Sequence, residues 1–447
     1  MKNLQNKIYR LFSPSFLLIS VFLLFYTFYK SEIYWDGDKR NFYLTYYIIS
    51  FLLIIFSIIT FYLNQKIKEY LIILLFSTVV GLYLSESYLT FNYKFSSKYK
   101  IYERETGKKW DKRSHIEIYE DLKKTNKNIK VRVFPVSYLE PTTAMINQNN
   151  NLFPLSGISN SKTVYGNELG YYFIYDSDRY GFNNPDEEWD QNEFEYMLVG
   201  DSFAHGANVN RPNDIASVLR NLSNKSVLNI GYGGNGPLLE YASLREYYNS
   251  NIKKVLWLYS ENNDLANLGQ ELTNKRLKTY LYDLTFTQNL KSRQDEIDDL
   301  AERTMEKQND SVSYREGFRF MFFKFIKIYN VRYLLTPHPK KKTKPRPEFK
   351  KILKLAKNLI EKNNSELYFV YLPEYSRYEK KNYDNTSYNF VKNIVNELNI
   401  PFIDIHTEVF EKLEDPLNYF PFKLYNPHYT VEGYKKVTEK IYELTNN

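Results

Sequence analysis

The stretch FYLTYYIISFLLIIFSIITFYL, residues 42–63, carries no charged residue. A helix needs roughly 20 apolar residues to cross the hydrocarbon core of a bilayer. This run meets that length, so the chain cannot be a water-soluble domain from end to end. Two further runs flank it, LFSPSFLLISVFLLFYTFY over residues 11–29 and YLIILLFSTVVGLYLSESYLT over residues 70–90. Pro14 stands near the start of the first, and Glu86 near the outer end of the third. A cleaved signal peptide would explain one run but not two more behind it. Three transmembrane helices are therefore expected within residues 1–90, with the lipid bilayer as a partner. Lys2, Lys7, Arg10, Lys66 and Lys68 lie on one side of these spans, against Lys30, Lys39 and Arg40 on the other. The positive-inside bias places the N-terminus in the cytoplasm and everything after about residue 91 outside it.

Residues 91–190 are polar, aromatic and irregular in pattern. ETGKKWDKRSHIEIYEDLKK reads as a short helix and NIKVRVFPVSYL as a strand. GYYFIYDSDRYGFNNPDEEWD is dense in turn residues. This region reads as a cap or lead-in.

From residue 194 the pattern changes. FEYMLVG, SVLNIG, KKVLWLYS, ELYFVYLP and PFIDIH are short apolar strands, and helical segments alternate with them. Such alternation predicts an α/β domain over 191–447, its parallel sheet covered on both faces. A charged, helical insertion occupies about 265–346 and ends in the basic HPKKKTKPRP, read as a solvated linker. The net charge of +8 is spread over 60 basic and 52 acidic residues. No zinc ribbon, Walker loop or RNA-binding signature accompanies it, so nucleic acid is not an expected partner. Zero Cys excludes disulfides and thiolate metal sites.

In parallel sheets the chemistry gathers at the C-terminal ends of the strands. Four polar blocks fall there: Gly200-Asp201-Ser202, then NIGYGGNGP at 229–237, ENND at 261–264, and YNPHYTVEGY at 425–434. Acyl transfer needs a nucleophile, a base and oxyanion donors. Ser202 offers a hydroxyl, His428 a base near neutral pH, the glycine-rich turn open N–H groups, and Asn263 a side-chain N–H. Alone, each block has a plainer reading: Gly-Asp-Ser as a turn, Asn263-Asp264 as a helix cap. His205 reads as a polar residue on a first helical turn or as a contact on the substrate rim. His406 reads as a buried, satisfied histidine ending a strand, Asp404 as structural, and His115 and His338 as surface residues. DSDRYGFNNP reads as a packed loop in preference to a cap over the site.

Together, in this order and spacing, the four blocks resemble those of the SGNH, or GDSL-type, hydrolase family over about residues 194–447. The resemblance implies a flavodoxin-like three-layer sandwich. It implies Ser202 as nucleophile and His428 as base. It also implies an oxyanion hole of the Ser202 N–H, the Gly234 N–H and the Asn263 amide, with Gly233 the nearest alternative to Gly234. Neither a metal nor an organic cofactor is needed. One departure stands out. The family usually carries an Asp two or three residues before its His, where this chain has Asn426 and Tyr425. Asn426 could orient the ring through its carbonyl oxygen.

Three functions follow as expectations. The first is a membrane-anchored serine esterase removing O-acetyl groups from an extracytoplasmic glycan, the substrate being implied by the resemblance alone. The second is a glycan O-acyltransferase using the same acyl-serine, which would require a separate multi-spanning membrane acyltransferase as partner. The third is an impaired hydrolase that binds glycan without turnover, motivated by the absent acid.

Overall fold

The protein is seen in a computed structural model that describes residues 2–34, 37, 40–90, 96–139, 152–316, 318–336, 346–423 and 428–446. The chain forms two compact units, one of residues 1–94 with 321–337, the other of 95–320 with 338–447.

In the first unit, three helices are long and apolar enough to cross a membrane: α1 (Lys2–Phe28), α2 (Arg40–Ile59) and α3 (Gln65–Tyr88). Small polar residues let α1 and α2 approach. Ser13 Oγ donates to the Thr60 carbonyl at 3.1 Å, Ser20 and Ser57 are buried, and the Phe16 and Phe56 rings meet edge to face. The unit also recruits part of the insertion. The short helix Tyr329–Leu335 docks on α3 because Glu86, fully buried, accepts from the backbone N–H groups of Asn330 (3.1 Å) and Val331 (2.9 Å) and from the Asn330 amide (2.9 Å). A carboxylate in an apolar helix is costly unless bonded, and a helix start presents orphan N–H donors. Each need answers the other. Grouping residues 321–337 with the apolar helices thus departs from the expectation of a single charged insertion.

The second unit is built on five parallel strands in the order β5-β4-β6-β7-β8, where β4 is Phe194–Gly200, β5 Val227–Asn229, β6 Ile252–Ser260, β7 Glu366–Leu372 and β8 Phe402–Asp404. Counted from β4, this is the 2-1-3-4-5 order of flavodoxin-like sheets. Alternation along each strand sends side chains to two cores. Met197, Val199, Val255 and Trp257 pack with the helices Pro237–Tyr247, Pro347–Glu361 and Thr386–Glu397. Tyr196, Leu198, Leu256 and Leu258 pack with Ile215–Ser223 and Val431–Thr445. The fold is therefore the expected α/β sandwich. The last strand ends earlier than expected, and His406 sits in the short helix Ile405–Glu408 that follows it.

Residues 96–190 hold more order than the sequence suggested. A second sheet joins β1 (Ile129–Val131), β2 (Lys162–Gly166) and β3 (Phe173–Asp176), with β1 parallel to β2 and β2 antiparallel to β3. Where one helix was expected there are two, Ser96–Thr106 and His115–Lys123, parted at Gly107, whose φ is +67°. Ser114 caps the second in a reciprocal box with Glu117. His115 opens that helix half-buried. The stretch 177–186 is a packed loop. Its buried Asp178 accepts from Tyr180 N, Phe182 N, the Asn184 amide and the Trp189 indole.

Candidate functional site

The sheet order reverses at β4, whose neighbours β5 and β6 lie on opposite sides, and ligands of open α/β sheets bind outside such a switch point. Three of the four blocks follow these three strands. β4 ends at Gly200, whose φ is +157°, and a Cβ there would lie 2.6 Å from the Leu258 carbonyl oxygen. Only glycine fits this close approach. The chain then turns through Asp201, whose carboxylate caps the short helix Ser202–His205 by accepting from Phe203 N at 2.9 Å. Burial raises the Asp201 pKa against that bond. Ser202 opens this helical turn at the mouth of the sheet.

The loop after β5 is held from several sides. Asn229 Nδ2 donates to the Ala204 carbonyl at 2.6 Å, and its Oδ1 accepts from Gly231 N at 2.9 Å. Glu271 accepts from Gly236 N and Leu238 N at 2.6 and 2.9 Å, while Asn267 donates to the Gly234 carbonyl at 3.1 Å. Burial pushes the Glu271 carboxyl up to about 7 despite those N–H donors. Gly234 sits at φ +79°, in the left-handed region that favours glycine. After β6, Asn263 precedes the helix Asp264–Glu271.

His428 lies just before the helix Val431–Thr445, which Thr430 caps by accepting from Gly433 N. Its imidazole is buried against Phe203, with ring centroids 5.1 Å apart. The Nε2 atom is 2.7 Å from Ser202 Oγ, although 226 positions separate the two residues. On the far side, Nδ1 is 2.8 Å from Glu168 Oε2. Glu168 stands in the turn between β2 and β3, a turn fixed by Asn167, which accepts from Gly170 N and donates to the Asp111 carbonyl. Thus a carboxylate reaches His428 from that turn of the three-stranded sheet, the cap sheet, 260 positions away, where the sequence has none just before the histidine. Asn426 falls outside the described residues, as does His338. Burial opposes charging of His428, but the charge and hydrogen bond of Glu168, helped by Asp201, outweigh it and hold its pKa above the usual imidazole value. With the Nδ1 proton directed to Glu168, the Asn208 amide nitrogen 3.2 Å away has no acceptor there.

Ser202, Gly234, Asn263, His428 and Glu168 line one cavity of about 360 Å³, together with Arg132, Phe134, Tyr165 and Asn208. Gly233 is not among its lining residues. A hydroxyl hydrogen-bonded to an imidazole, itself held by a carboxylate, can release its proton on attacking a carbonyl. Gly234 and Asn263, the expected oxyanion donors, line the same cavity. Among the described residues, no cluster of three or more His, Asp or Glu side chains is arranged to hold a metal.

His205 is not on the rim. The left-handed Gly206 closes its helical turn, and the ring is fully buried among Tyr165, Tyr175 and Tyr232. Burial pushes its pKa down to about 3, so the ring is neutral, with Nδ1 3.3 Å from the Gly231 carbonyl oxygen. His406 is half-buried between the Tyr378 hydroxyl and Glu411, and Asp404 accepts from Tyr388.

No family model and no curated protein matches the chain. Solved structures do. A G-D-S-L family lipolytic protein of Desulfitobacterium hafniense DCB-2 is similar at 15% identity, covering 56% of this chain and 99% of its own, with a TM-score of 0.31. A variant of an acetyl-xylooligosaccharide esterase from Geobacillus stearothermophilus is similar at 14% identity, covering 57% of this chain and 94% of its own, with a TM-score of 0.32. A catalytic variant of an acetylxylan esterase from the same organism is similar at 12% identity over the same shares, with a TM-score of 0.30.

Proposed function

We propose that this protein is a membrane-anchored serine esterase of SGNH type that removes O-acyl groups, acetyl first among them, from a glycan outside the cytoplasm. The observation that carries the reading is the unbroken relay from Ser202 Oγ through His428 to Glu168 within a cavity that Gly234 and Asn263 also line. Ser202 Oγ attacks the ester carbonyl as its proton passes to His428 Nε2. The tetrahedral oxyanion accepts hydrogen bonds from Ser202 N, Gly234 N and the Asn263 amide. Collapse breaks the bond to the sugar oxygen, which takes the proton back from Nε2. Water then attacks the acyl-serine through the same base and releases the acid. Glu168 holds the tautomer and steadies the imidazolium, which removes the motive for reading the chain as an impaired hydrolase.

A fluorophosphonate probe tests this on purified protein. One equivalent of label on Ser202, absent in Ser202→Ala, with steady acetate release from an acetylated glycan, is the expected result. No labelling between about pH 6 and 9 would sink it. Acetyl recovered on an added glycan acceptor in excess of free acetate would convert the reading to acyl transfer.

A further inference from the structure

Arg132 follows β1 and enters the cavity over the cap sheet. Its backbone N–H donates to the Val164 carbonyl at 3.1 Å, fixing the start of the side chain. The guanidinium carbon is 4.8 Å from the ring centroids of both Phe134 and Tyr165. Its Nη1 lies against Gly166, so closely that a Cβ there would meet it at 3.1 Å. The cation is therefore held in one place by two rings and a bare backbone, in a half-buried position lining the same cavity as Ser202. Among the described residues its guanidinium makes no ion pair and no side-chain hydrogen bond, and Glu168 gives its Oε2 to His428. A positioned, partly desolvated guanidinium with unused donors is built to meet an anion. Its planar fork matches carboxylate and phosphate-like oxygens in pairs.

Its position says which part of the substrate carries the anion. His428 Nε2 must return its proton to the departing alcohol, so the alcohol lies on the imidazole side. A Cβ on Gly166 would meet both Arg132 Nη1 (3.1 Å) and Asn208 Oδ1 (3.3 Å), and Asn208 Nδ2 is 3.2 Å from His428 Nδ1, so the guanidinium stands at the imidazole end of the cavity, toward the ring edge that faces Glu168. A cavity of about 360 Å³ has room for a small ligand, about one sugar ring with its ester. We propose that Arg132 makes this an esterase for acidic glycans, binding a carboxylate, or a sulfate or phosphate in its place, on the sugar that bears the ester. This rests on the hydrolase reading of the site.

The test compares three methyl glycosides differing at C6: O-acetylated galacturonic acid, O-acetylated galactose 6-sulfate and neutral O-acetylated galactose. Acetate release gives kcat/KM for the full-length wild type, Arg132→Gln and Arg132→Lys. Equilibrium binding to Ser202→Ala reads the same preference without turnover. One charge-assisted pair predicts that the wild type favours an acidic sugar by about tenfold or more at low salt. The preference should collapse toward unity in Arg132→Gln and return in part in Arg132→Lys. A carboxylate favoured over the sulfate would identify a uronic acid, and the reverse a sulfated or phosphorylated sugar. Equal handling of acidic and neutral sugars by the wild type, in turnover and in binding, overturns the proposal, as does a preference that survives in Arg132→Gln. Acetate release from none of the three, with the acidic preference kept in binding, would instead sink the esterase reading and leave acid recognition standing.

Discussion

The bond between Glu168 and His428 has consequences for rate and for pH. Glu168→Gln keeps the shape of the side chain but lets its amide donate to Nδ1, favouring the wrong tautomer. A loss approaching about 10⁴ in kcat is expected on the serine-protease precedent, read with a soluble acetyl ester. The pH profile is a second readout. His428 must be neutral to act as base, and its pKa is raised. Activity should therefore fall, as pH drops, through a limb above the ordinary imidazole value. Removing Glu168 removes the main raising cause, so in Glu168→Gln the limb should move to lower pH. A limb at or below the ordinary value in the wild type, or one unmoved in the variant, would remove Glu168 from the relay. This acid was not legible in the sequence. Three of the four blocks follow strands of one sheet and the fourth precedes a helix packed on that sheet, which keeps their order recognisable, whereas Glu168 comes from a different sheet and has no fixed spacing to His428. Of the two readings of His205, the helical turn holds and the rim contact does not, because closeness in sequence to Ser202 says nothing of which way the ring points.

Elements carry their own tests. The β4 strand was legible because six of its seven residues are buried, leaving an apolar run with no polar face to blur it. β8 was harder, since its three residues are too few to separate strand from the helical turn that follows. Gly200 decides whether β4 can deliver Ser202. Gly200→Ala sets a Cβ 2.6 Å from the Leu258 carbonyl oxygen, and strain with overpacking should cost about 2–4 kcal/mol, seen as a lower melting temperature. An unchanged melting temperature would mean that the close approach yields readily. In the membrane-type unit the decisive element is the cap on the helix Tyr329–Leu335. Glu86→Leu leaves α3 apolar enough to insert but strips the acceptor from Asn330 and Val331. Proteolysis in detergent should then cut within 321–336 faster than in the wild type, while Glu86→Gln, which keeps one acceptor oxygen, should fall between. Equal cutting in all three would show that the carboxylate does not hold the segment.

For the whole molecule, the apolar helices and the cavity fall in different units. Every described residue lining the cavity falls in the second unit. The first contributes apolar helices and the clasp at Glu86. The second, by contrast, does not divide at residue 190, where the sequence pattern changes. Leu152, Phe153, Val164 and Phe182 belong to the same core as Met197 and Trp257, and the cap sheet supplies both Glu168 and Arg132. Two truncations should therefore behave in opposite ways. A chain starting at residue 96, kept in mild detergent because Phe322, Phe323, Leu334 and Leu335 are exposed, should hydrolyse a small soluble ester with the wild-type kcat/KM. A chain that keeps 1–94 but lacks 96–190 should lose both activity and fluorophosphonate labelling, since burial of the shared core and the acid beside His428 go together. If the first truncation loses more than about tenfold, the apolar helices shape the site as well as tether it. If the second still labels at Ser202, then the nucleophile needs neither Glu168 nor the cap, and activation must be sought among the residues of the five-stranded domain alone.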